Sequence, residues 1–302
     1  MKKNGWIRSF RTHYNLYIMV TPFVVGILVF CYFPMYGVVV AFQDYDIMKG
    51  FFGSKFVGFE HFIAFANDPY FFRILKNTVL LGLYTFLWGF WPPIFLALAL
   101  NELKHMRFKK ITQTISYLPH FISIVVIVGI VFEVLSSYGI VNQLLTYLGF
   151  DKITFFIIPG WFRSIYVSIT IWQAVGWGSI IYLAALTGVS PEQYESAVID
   201  GATRLQQAIH ITIPTIMPVI RIMLIFAVPS LVAVSFELIY LIYNPATYST
   251  ADVIPTYVFR RGIQGLDFSF GAAVGVAQSV IGFILLVIAN WISKKTSGDG
   301  LW

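Results

Sequence analysis

The chain has 302 residues and a net charge of +6, and 58% of its residues are hydrophobic while only 11% are charged. A soluble domain of this size needs far more charge on its surface, so the composition predicts a protein whose solvent is the lipid bilayer. The excess of basic residues does not indicate nucleic-acid binding, because no basic stripe with interleaved aromatic residues occurs. In a membrane protein, Lys and Arg instead collect in cytoplasmic loops.

Six apolar segments are long enough to span a bilayer, which takes about 20 mostly apolar residues. They cover residues 15–42, 77–100, 111–135, 161–186, 216–243 and 270–292. The pattern predicts an all-α polytopic membrane protein with six transmembrane helices in a single domain, residues 1–302. Prolines within these segments are expected to kink the helices. They are Pro22, Pro34, Pro92, Pro93 and Pro229.

The first apolar segment is too long for the core of a signal peptide, and no small-residue cleavage site follows it. We therefore predict that it is retained as the first transmembrane helix. Cys31, the one cysteine of the chain, lies within this segment. It has no second cysteine for an intrachain disulfide and is expected to be a small buried hydrophobic residue.

The distribution of Lys and Arg predicts that both termini are cytoplasmic, because cytoplasmic loops carry the excess of these residues. The side that holds the N-terminus carries Lys2, Lys3, Arg8, Arg11, Lys104, Arg107, Lys109, Lys110, Arg204, Arg221, Lys294 and Lys295. The other side carries Lys49, Lys55, Arg73, Lys76, Lys152, Arg163, Arg260 and Arg261.

Residues 190–214, "SPEQYESAVIDGATRLQQAIHITIP", form a polar loop before the fifth span. Ser190 is a good helix cap, Pro191 suits the first helical position, and Gln193 completes a capping-box pattern. Gly201 then allows a bend, and a second short helix is predicted over about 203–211. On these features alone, the loop is either an interfacial amphipathic helix or a docking element.

The spacing within this loop carries more information. It runs Glu195, Ser196, Ala197, three residues, Gly201, nine residues, Ile211, one residue, Ile213 and Pro214. This resembles the EAA motif of the permease subunits of binding-protein-dependent ABC importers, with Ser196 in place of an alanine and Ile213 in place of a leucine. The "DGA" at 200–202 is similar to the version found in sugar importers.

The resemblance extends over nearly the whole chain. It includes "FVGFEHF" at 56–62, "YLPHFIS" at 117–123 and "WQAVGWGSIIYLAAL" at 172–186. From residue 235 onward, the chain looks most like polysaccharide and oligosaccharide permeases of Gram-positive bacteria. The resemblance implies a maltose-transporter-like type I importer permease that moves saccharides across the bacterial cell membrane.

In the family that the chain resembles, the loop is a coupling helix that docks on a cytoplasmic ATPase. By this resemblance, Glu195 would pair with a basic ATPase residue, Ala197 would allow close docking and Gly201 would permit the bend. The full ATPase-coupling set is Glu195, Ser196, Ala197, Asp200, Gly201 and Ala202. The implied partners are a second homologous permease, two ATPase subunits, an extracytoplasmic solute-binding protein and a carbohydrate substrate.

The chain has no phosphate-binding "GK[ST]" loop, so it is not expected to be an ATPase itself. We expect it to bind no cofactor, while ATP and Mg²⁺ bind to the partner ATPase. The five histidines are scattered and suggest neither a metal site nor a nucleophilic relay.

Candidate residues for the substrate path lie at the end of the predicted fifth span. Glu237 either lines the path or makes a structural hydrogen bond, since an intramembrane carboxylate usually faces a cavity or a partner. Tyr240, Tyr243 and Asn244 follow it and either contact sugars or belong to the aromatic belt at the interface. Arg260 and Arg261 either attract an acidic ligand or the binding protein, or are simply solvated.

Two other classes of protein remain as alternatives. An ion-coupled secondary carrier predicts paired intramembrane carboxylates or inverted repeats, and we find neither in the sequence. A membrane enzyme predicts a convergent set of catalytic residues, which is not apparent.

Overall fold

A computed structural model describes residues 12–298 and 300–301, without the side chain of Ser297. It contains six helical segments that are long and apolar enough to cross a membrane. These are Tyr14–Phe42, Phe71–Glu102, Ile124–Tyr147, Pro159–Leu186, Arg204–Leu231 and Phe268–Thr296. The prediction of an all-α protein with six spans is therefore confirmed. Lys2, Lys3, Arg8 and Arg11, which contributed to the predicted orientation, lie outside the described residues.

The α-helices of the first half are α1 (Tyr14–Ile27), α2 (Gly50–Gly53), α3 (Glu60–Ala66), α4 (Phe71–Gly89), α5 (Trp91–Glu102), α6 (Met106–Tyr117), α7 (Ile124–Leu135) and α8 (Ile140–Tyr147). Those of the second half are α9 (Pro159–Leu186), α10 (Pro191–Ile199), α11 (Arg204–Gln207), α12 (Ile213–Ala227), α13 (Phe236–Ile242), α14 (Tyr248–Ala251), α15 (Ile254–Val258) and α16 (Phe268–Ser297).

Shorter elements complete the backbone. Two strands, β1 (Gln43–Asp44) and β2 (Lys55–Phe56), pair antiparallel. The 3₁₀ turns are Phe33–Phe42, Leu118–Phe121, Val228–Leu231 and Pro245–Thr247, and the π-helical turns are Leu28–Tyr32, Ala208–Thr212 and Phe259–Gln264.

The chain divides into two compact units. The first ends at Ala66 and also includes Arg261–Val276. In this unit the rings of Phe65 and Phe270 pack edge to face at 5.9 Å. The backbone N–H of Tyr45 donates to Ser269 Oγ at 2.9 Å, which ties the segment after the first span to the start of α16.

The second unit comprises Asn67–Arg260 and the chain from Ala277 onward. One apolar core in this unit includes Leu81, Ile127, Tyr166, Ile239 and Val253. A second apolar core packs α5, α9 and α12 together and includes Ile94, Ala97, Tyr182, Leu186 and Ile216.

Two prolines within spans are accommodated by a wider turn immediately before them. A proline lacks the N–H of the usual helical bond, and its ring clashes with the carbonyl four residues earlier. Before Pro34, the N–H of Phe33 bonds back five residues to Leu28, and before Pro214 the N–H of Ile213 bonds to Ala208. Each π-helical turn thereby keeps its helix continuous past the proline.

The fifth span is shifted from its predicted position. The prediction over 216–243 is wrong at both ends, because the helix begins at Arg204 and ends at Leu231. The predicted short helix over 203–211 is not separate, since the π-helical turn joins α11 to α12. The 3₁₀ turn that contains Pro229 ends the span, and α13 follows as a helix of its own.

The third span also differs from its prediction over 111–135. Helix α6 ends at Tyr117, a 3₁₀ turn containing Pro119 follows, and Ile122 and Ser123 are extended before α7 begins. The spanning segment Ile124–Tyr147 starts after this break. Pro119 lacks the N–H that would continue the helix, and its ring clashes with the carbonyl four residues earlier, which explains why α6 ends just before it. The first, fourth and sixth spans are close to prediction, while the second begins at Phe71 rather than at residue 77.

Cys31 is exposed on the surface of the first span, so the prediction that it is buried is wrong. Few residues of that span are buried within the protein: only 6% of an 18-residue apolar stretch of it is buried. An exposed apolar surface on a spanning helix is suited to lipid or to another subunit rather than to water.

We predict that Gly176→Val will destabilise the second unit, because any Cβ at this position overlaps the backbone carbonyl of Ser116. Overpacking of this kind typically costs about 1–3 kcal/mol. Gly129→Ala is the control, since a Cβ there has no atom within 4 Å. The thermal unfolding midpoint of detergent-purified protein should fall for the first variant and stay unchanged for the second. An unchanged midpoint in Gly176→Val would contradict this packing.

Candidate functional site

The 190–214 loop begins with a capped helix. Ser190 is the N-cap of α10, and its hydroxyl accepts from the N–H of Glu192 at 3.3 Å, while Pro191 opens the helix. The predicted capping box with Gln193 does not form; the N–H of Gln193 bonds to the Ser190 carbonyl instead. The start of the helix is thus as predicted, with a simpler cap.

Helix α10 ends at a left-handed glycine. Gly201 has φ +76°, a conformation that glycine adopts without steric cost. Its N–H bonds to the carbonyl of Val198, and the N–H of Ala202 bonds to the carbonyl of Ala197 at 2.8 Å. These two bonds form a Schellman motif, which satisfies the last carbonyls of the helix and fixes the direction of the bend.

The next helical turn is capped just two residues later. The N–H of Thr203 donates to Gln206 Oε1 at 2.8 Å, and Thr203 Oγ1 accepts from the N–H of Gln206 at 3.4 Å. This is a reciprocal capping box. The buried side chain of Gln207 donates to the carbonyl of Ala202 at 2.9 Å, so the bend is held from both sides.

The loop is anchored to the helical body. Tyr194 Oη and Thr212 Oγ1 are 2.9 Å apart, which connects α10 to the π-helical turn of the fifth span. Tyr194 also packs against the apolar core that contains Tyr182 and Ile216. The loop, α9 and α12 therefore share one packed interior.

The opposite side of the loop is exposed. Of the predicted coupling residues, Glu195, Ser196, Asp200 and Gly201 are exposed, whereas Ala197 and Ala202 are half-buried. Exposed apolar side chains lie among them: Val198, Ile199 at 85% exposed, and Leu205. The structure thus brings the predicted coupling residues together on one element that presents carboxylates beside apolar side chains.

A cleft of about 360 Å³ adjoins this element. It lies between the end of α5 and α10, and Glu195 and Arg204 are part of its lining. The guanidinium of Arg204 lies 3.6 Å from the carboxylate of Glu102, so the loop also contacts the end of α5. Both partners are exposed, and the pair adds little stability.

The predicted substrate-path residues lie on and after α13, outside the helical part of the fifth span. Glu237 is exposed in the first turn of α13, and Tyr240 contacts the ring of Tyr243 at 5.7 Å. Asn244 is engaged locally, because its amide donates to the carbonyl of Phe156 and its oxygen accepts from the N–H of Ala246. Their role in substrate passage stays a prediction, and the contacts of Asn244 are those of a structural residue.

An aromatic pair that sequence reasoning missed lies at the break of the third span. His120 and Trp177 stack face to face with ring centroids 4.5 Å apart, and the ring of Phe121 stands at 90° to Trp177. His120 and Trp177 are both exposed. Trp177 is bracketed by Gly176, which packs on the carbonyl of Ser116, and by Gly178, which packs on Pro93. The run "GWG" within a span was the available signal.

A buried carboxylate joins several segments of the second unit. Asp252 has no exposed surface and accepts from Arg260 at 2.8 Å and from Arg73 at 3.1 Å. Thr256 Oγ1 donates to it at 3.1 Å. Burial lowers the pKa of the Arg260 guanidinium, but its hydrogen bonds to Asp252 and the negative charge of that carboxylate outweigh burial and raise the pKa overall. Arg260, whose side chain is about one-third exposed, is therefore held in a structural ion pair rather than lying free in solvent.

A third arginine extends this network. Arg163 donates to Asn77 Oδ1 at 3.0 Å, and the amide of Asn77 donates to the backbone carbonyls of Ser249 and Asp252. Arg163 also lines a cleft of about 570 Å³ together with Tyr84 and Ser168. The three guanidinium groups outnumber the one buried carboxylate, so this region carries an excess of positive charge.

Comparison with known proteins assigns the chain to a family. The model of the "Binding-protein-dependent transport system inner membrane component" family matches residues 94–298, about two thirds of the chain. The chain belongs to this family. The predicted resemblance is confirmed, and this inner membrane component is a multi-pass membrane protein.

Two curated relatives come from Bacillus subtilis (strain 168). The polygalacturonan/rhamnogalacturonan transport system permease protein YteP is 42% identical over 288 residues, which cover 95% of this inner membrane component and 90% of the relative. Protein LplB is 40% identical over 299 residues, which cover 99% and 94% respectively.

Two solved structures have the same fold. A chain of a bacterial ABC transporter involved in the import of the acidic polysaccharide alginate superposes with a TM-score of 0.87 at 40% identity, covering 97% of this inner membrane component and 99% of that chain. A bacterial alginate ABC transporter in complex with an alginate pentasaccharide-bound periplasmic protein gives a TM-score of 0.88. The predicted type I ABC importer permease fold is confirmed.

We predict that Asp252→Asn will destabilise the protein, because Arg73 and Arg260 lose their shared counter-charge. Removing one partner of a buried ion pair is costly, here about 2–4 kcal/mol since both arginines are partly exposed. Asp267→Asn is the control: its pair with Arg261, at 3.3 Å, is about one-third exposed on both sides and should contribute below about 1 kcal/mol. Thermal unfolding of the purified variants should separate them, and equal midpoints would contradict the role assigned to Asp252.

Proposed function

We propose that this permease subunit carries anionic oligosaccharides into the cytoplasm as part of an ATP-driven importer. Its proposed partners are a second homologous permease, two cytoplasmic ATPase subunits and an extracytoplasmic solute-binding protein. The observation that carries the proposal is the 190–214 loop, a preorganised element with an exposed acidic and apolar face. The family to which the chain belongs supports the same conclusion.

The composition of α10 favours a protein partner over a lipid surface. Helices that lie on membranes are rich in Lys and Arg on their polar face. Helix α10 instead carries Glu192 and Glu195 and no basic residue, and Ile199 projects into solvent beside them. Anionic headgroups repel such a helix, whereas a partner with a basic rim and an apolar groove complements it.

The way in which the loop is attached suits the transmission of movement. Both of its helical turns are capped, its bend is fixed by Gly201, and Tyr194 bonds to Thr212 in the π-helical turn of the fifth span. A rigid element joined to packed helices moves them as a body when a partner displaces it. In this proposal the loop and both termini are cytoplasmic, the partner ATPase binds ATP and Mg²⁺, and this chain binds neither.

The break in the third span favours a path for a hydrophilic substrate. Helix α7 has 12 residues, or about 18 Å, which is too short to cross the roughly 30 Å hydrocarbon core alone. We place the break before it at membrane depth, with α6 on one side and α7 on the other. Irregular backbone at that depth is tolerated only where it is covered by protein or lines a watery cavity. We assign the His120–Trp177 pair to the wall of that cavity, where the flat ring face of Trp177 can stack on a sugar ring.

Anionic saccharides fit this chain better than neutral ones for two reasons. The relatives at about 40% identity are named for polygalacturonan, rhamnogalacturonan and the acidic polysaccharide alginate. In addition, the helix ends that the proposal places outside carry more positive than negative charge. Three arginines lie there around the single buried carboxylate of Asp252: Arg73, Arg163 and Arg260. An excess of fixed positive charge raises the local concentration of an anionic substrate.

We predict that Glu195→Lys and Gly201→Pro will each abolish substrate-stimulated ATP hydrolysis by the assembled importer while leaving the chain inserted. The first reverses a charge on the docking face, and the second cannot adopt φ +76° and so breaks the bend. Glu60→Lys, at an exposed site in α3, is the matched charge reversal and should hydrolyse ATP normally. The measurement is ATPase activity in proteoliposomes with the binding protein and saccharide.

Full stimulated activity in both loop variants would refute the coupling assignment. Transport that continues without ATP but stops when an ion gradient is dissipated would instead support the secondary carrier.

We predict that Trp177→Ala will lower the rate of oligogalacturonate uptake about tenfold, equivalent to about 1.4 kcal/mol, with basal ATPase activity retained. The reason is loss of the stacking surface next to His120. Trp291→Ala is the control, because Trp291 is also exposed on a span but lies far along α16.

Uptake of neutral galactose oligomers, measured beside the galacturonate series, tests the substrate charge. Faster uptake of the neutral series would contradict the anionic assignment.

A further inference from the structure

A small hairpin follows the first span. Strands β1 and β2 pair through Gln43 with Phe56 and Asp44 with Lys55, and they enclose the single helical turn α2. All of these residues belong to the first compact unit. The segment between the strands, residues 45–54, forms the tip of the hairpin.

The tip does not project away from the span but folds back along it. The ring of Phe51 packs edge to face on Tyr36 at 5.6 Å, and the ring of Phe52 lies 6.4 Å from Tyr36. Tyr36 is six residues before the end of the spanning helix at Phe42. At about 2 Å per residue of 3₁₀ helix, the contact lies roughly 12 Å below that end. The headgroup layer is only some 5–7 Å deep on each side, so with the Phe42 end of the span at the outer limit of that layer, the tip reaches the boundary of the hydrocarbon core.

The tip is built rigidly. Gln43 Nε2 donates to the carbonyl of Phe51 at 2.8 Å, and Ser54 Oγ donates to the carbonyl of Gly50 at 2.6 Å. The ring of Tyr45 packs against Phe51 at 5.4 Å. The position of the tip beside Tyr36 is therefore fixed by the fold.

The outer surface of the tip is strongly apolar. Met48 is 93% exposed and Phe52 is 94% exposed, and Ile47 beside them is also exposed. Large apolar side chains this exposed, on a rigid surface, mark a site of contact with a membrane or a partner.

We propose that the tip of this hairpin, with Met48 and Phe52 foremost, is a membrane wedge that inserts into the leaflet at the Phe42 end of the first span. Its occupant is the interfacial layer of the lipid bilayer. The wedge would hold the end of the first span at a fixed depth. The inference is independent of the proposed function, since it depends neither on the cargo nor on the side of the membrane.

The charges near the tip agree with this depth. Lys49 Nζ lies 3.1 Å from the carboxylate of Asp46, and both are exposed. The hydrogen bond from Lys49 lowers the pKa of the Asp46 carboxyl, so the pair stays ionised and suits the headgroup layer. Lysine at such a position can extend its charge toward water while its stem lies along apolar surface.

Continuity with the span also favours lipid over a protein partner. The neighbouring face of the spanning helix is exposed and apolar, with Phe33 at 78% and Met35 at 62% exposed. The wedge and this face form one apolar surface, and aromatic residues are enriched at the boundary where they lie.

The test uses the full-length chain with its co-purifying subunits in lipid nanodiscs. In a Cys31→Ser background, single cysteines replace Met48, Phe52 or Lys55 and carry a nitroxide spin label. Collision rates are measured with molecular oxygen, which concentrates in the bilayer, and with nickel ethylenediaminediacetate, which stays in water. Lys55 is the control, because it is exposed in β2 at the base of the same hairpin.

Labels at 48 and 52 should show a severalfold higher ratio of oxygen to nickel collisions than the label at 55. Nickel-dominated collisions at all three sites would place the tip in water and overturn the proposal. Low collision rates with both reagents at 48 and 52 would show that a protein partner covers the tip, and would equally overturn it. If Phe52→Cys does not fold, the Met48 label alone decides.

Discussion

In a bilayer, every backbone N–H and carbonyl must find its partner within the protein, and this constraint shapes each irregularity of the chain. Prolines interrupt this hydrogen bonding, because they lack a backbone N–H. Before Pro34 and Pro214 a wider helical turn shifts the hydrogen bonds by one residue, and the helix continues. At Pro119 the helix stops and the chain becomes extended for two residues. Proline therefore leaves the helix continuous at two positions and breaks it at a third. The exposed His120–Trp177 pair lies at that break.

The polar parts of the molecule obey the same constraint. The 190–214 loop satisfies its helix ends with its own side chains and glycine, and so needs no partner to be folded. The carboxylate of Asp252 is fully buried yet meets two guanidinium groups and a hydroxyl. Such a group specifies which segments meet more than it adds stability.

The sequence was sufficient for the number of spans, because an apolar run of about twenty residues is rare outside a membrane helix. It was also sufficient for the cap at Ser190 and the bend at Gly201, since both depend on residues close in the chain. It failed at the limits of the third and fifth spans. Hydropathy does not register a break inside an apolar run, and the wide turn before Pro214 cannot be distinguished from a helix end by composition.

The stack of His120 on Trp177 joins residues far apart in sequence, and no local pattern contains it. The buried pairing of Arg260 with Asp252 was invisible for a different reason: eight residues separate them, but only the fold removes the carboxylate from water.

The continuity of the helix from Arg204 to Leu231 has a mechanical consequence. Its 28 residues correspond to a rod of about 42 Å. With one end in the 190–214 loop, a rod of this length could act as a lever arm in the proposed coupling. A tilt of about 10° at the loop displaces the far end by roughly 7 Å, which is more than the width of a sugar ring. A flexible joint at Pro214 would absorb that rotation locally. Because the helix continues through the π-helical turn before Pro214, a small rotation at the loop produces a large displacement at the other end of the helix.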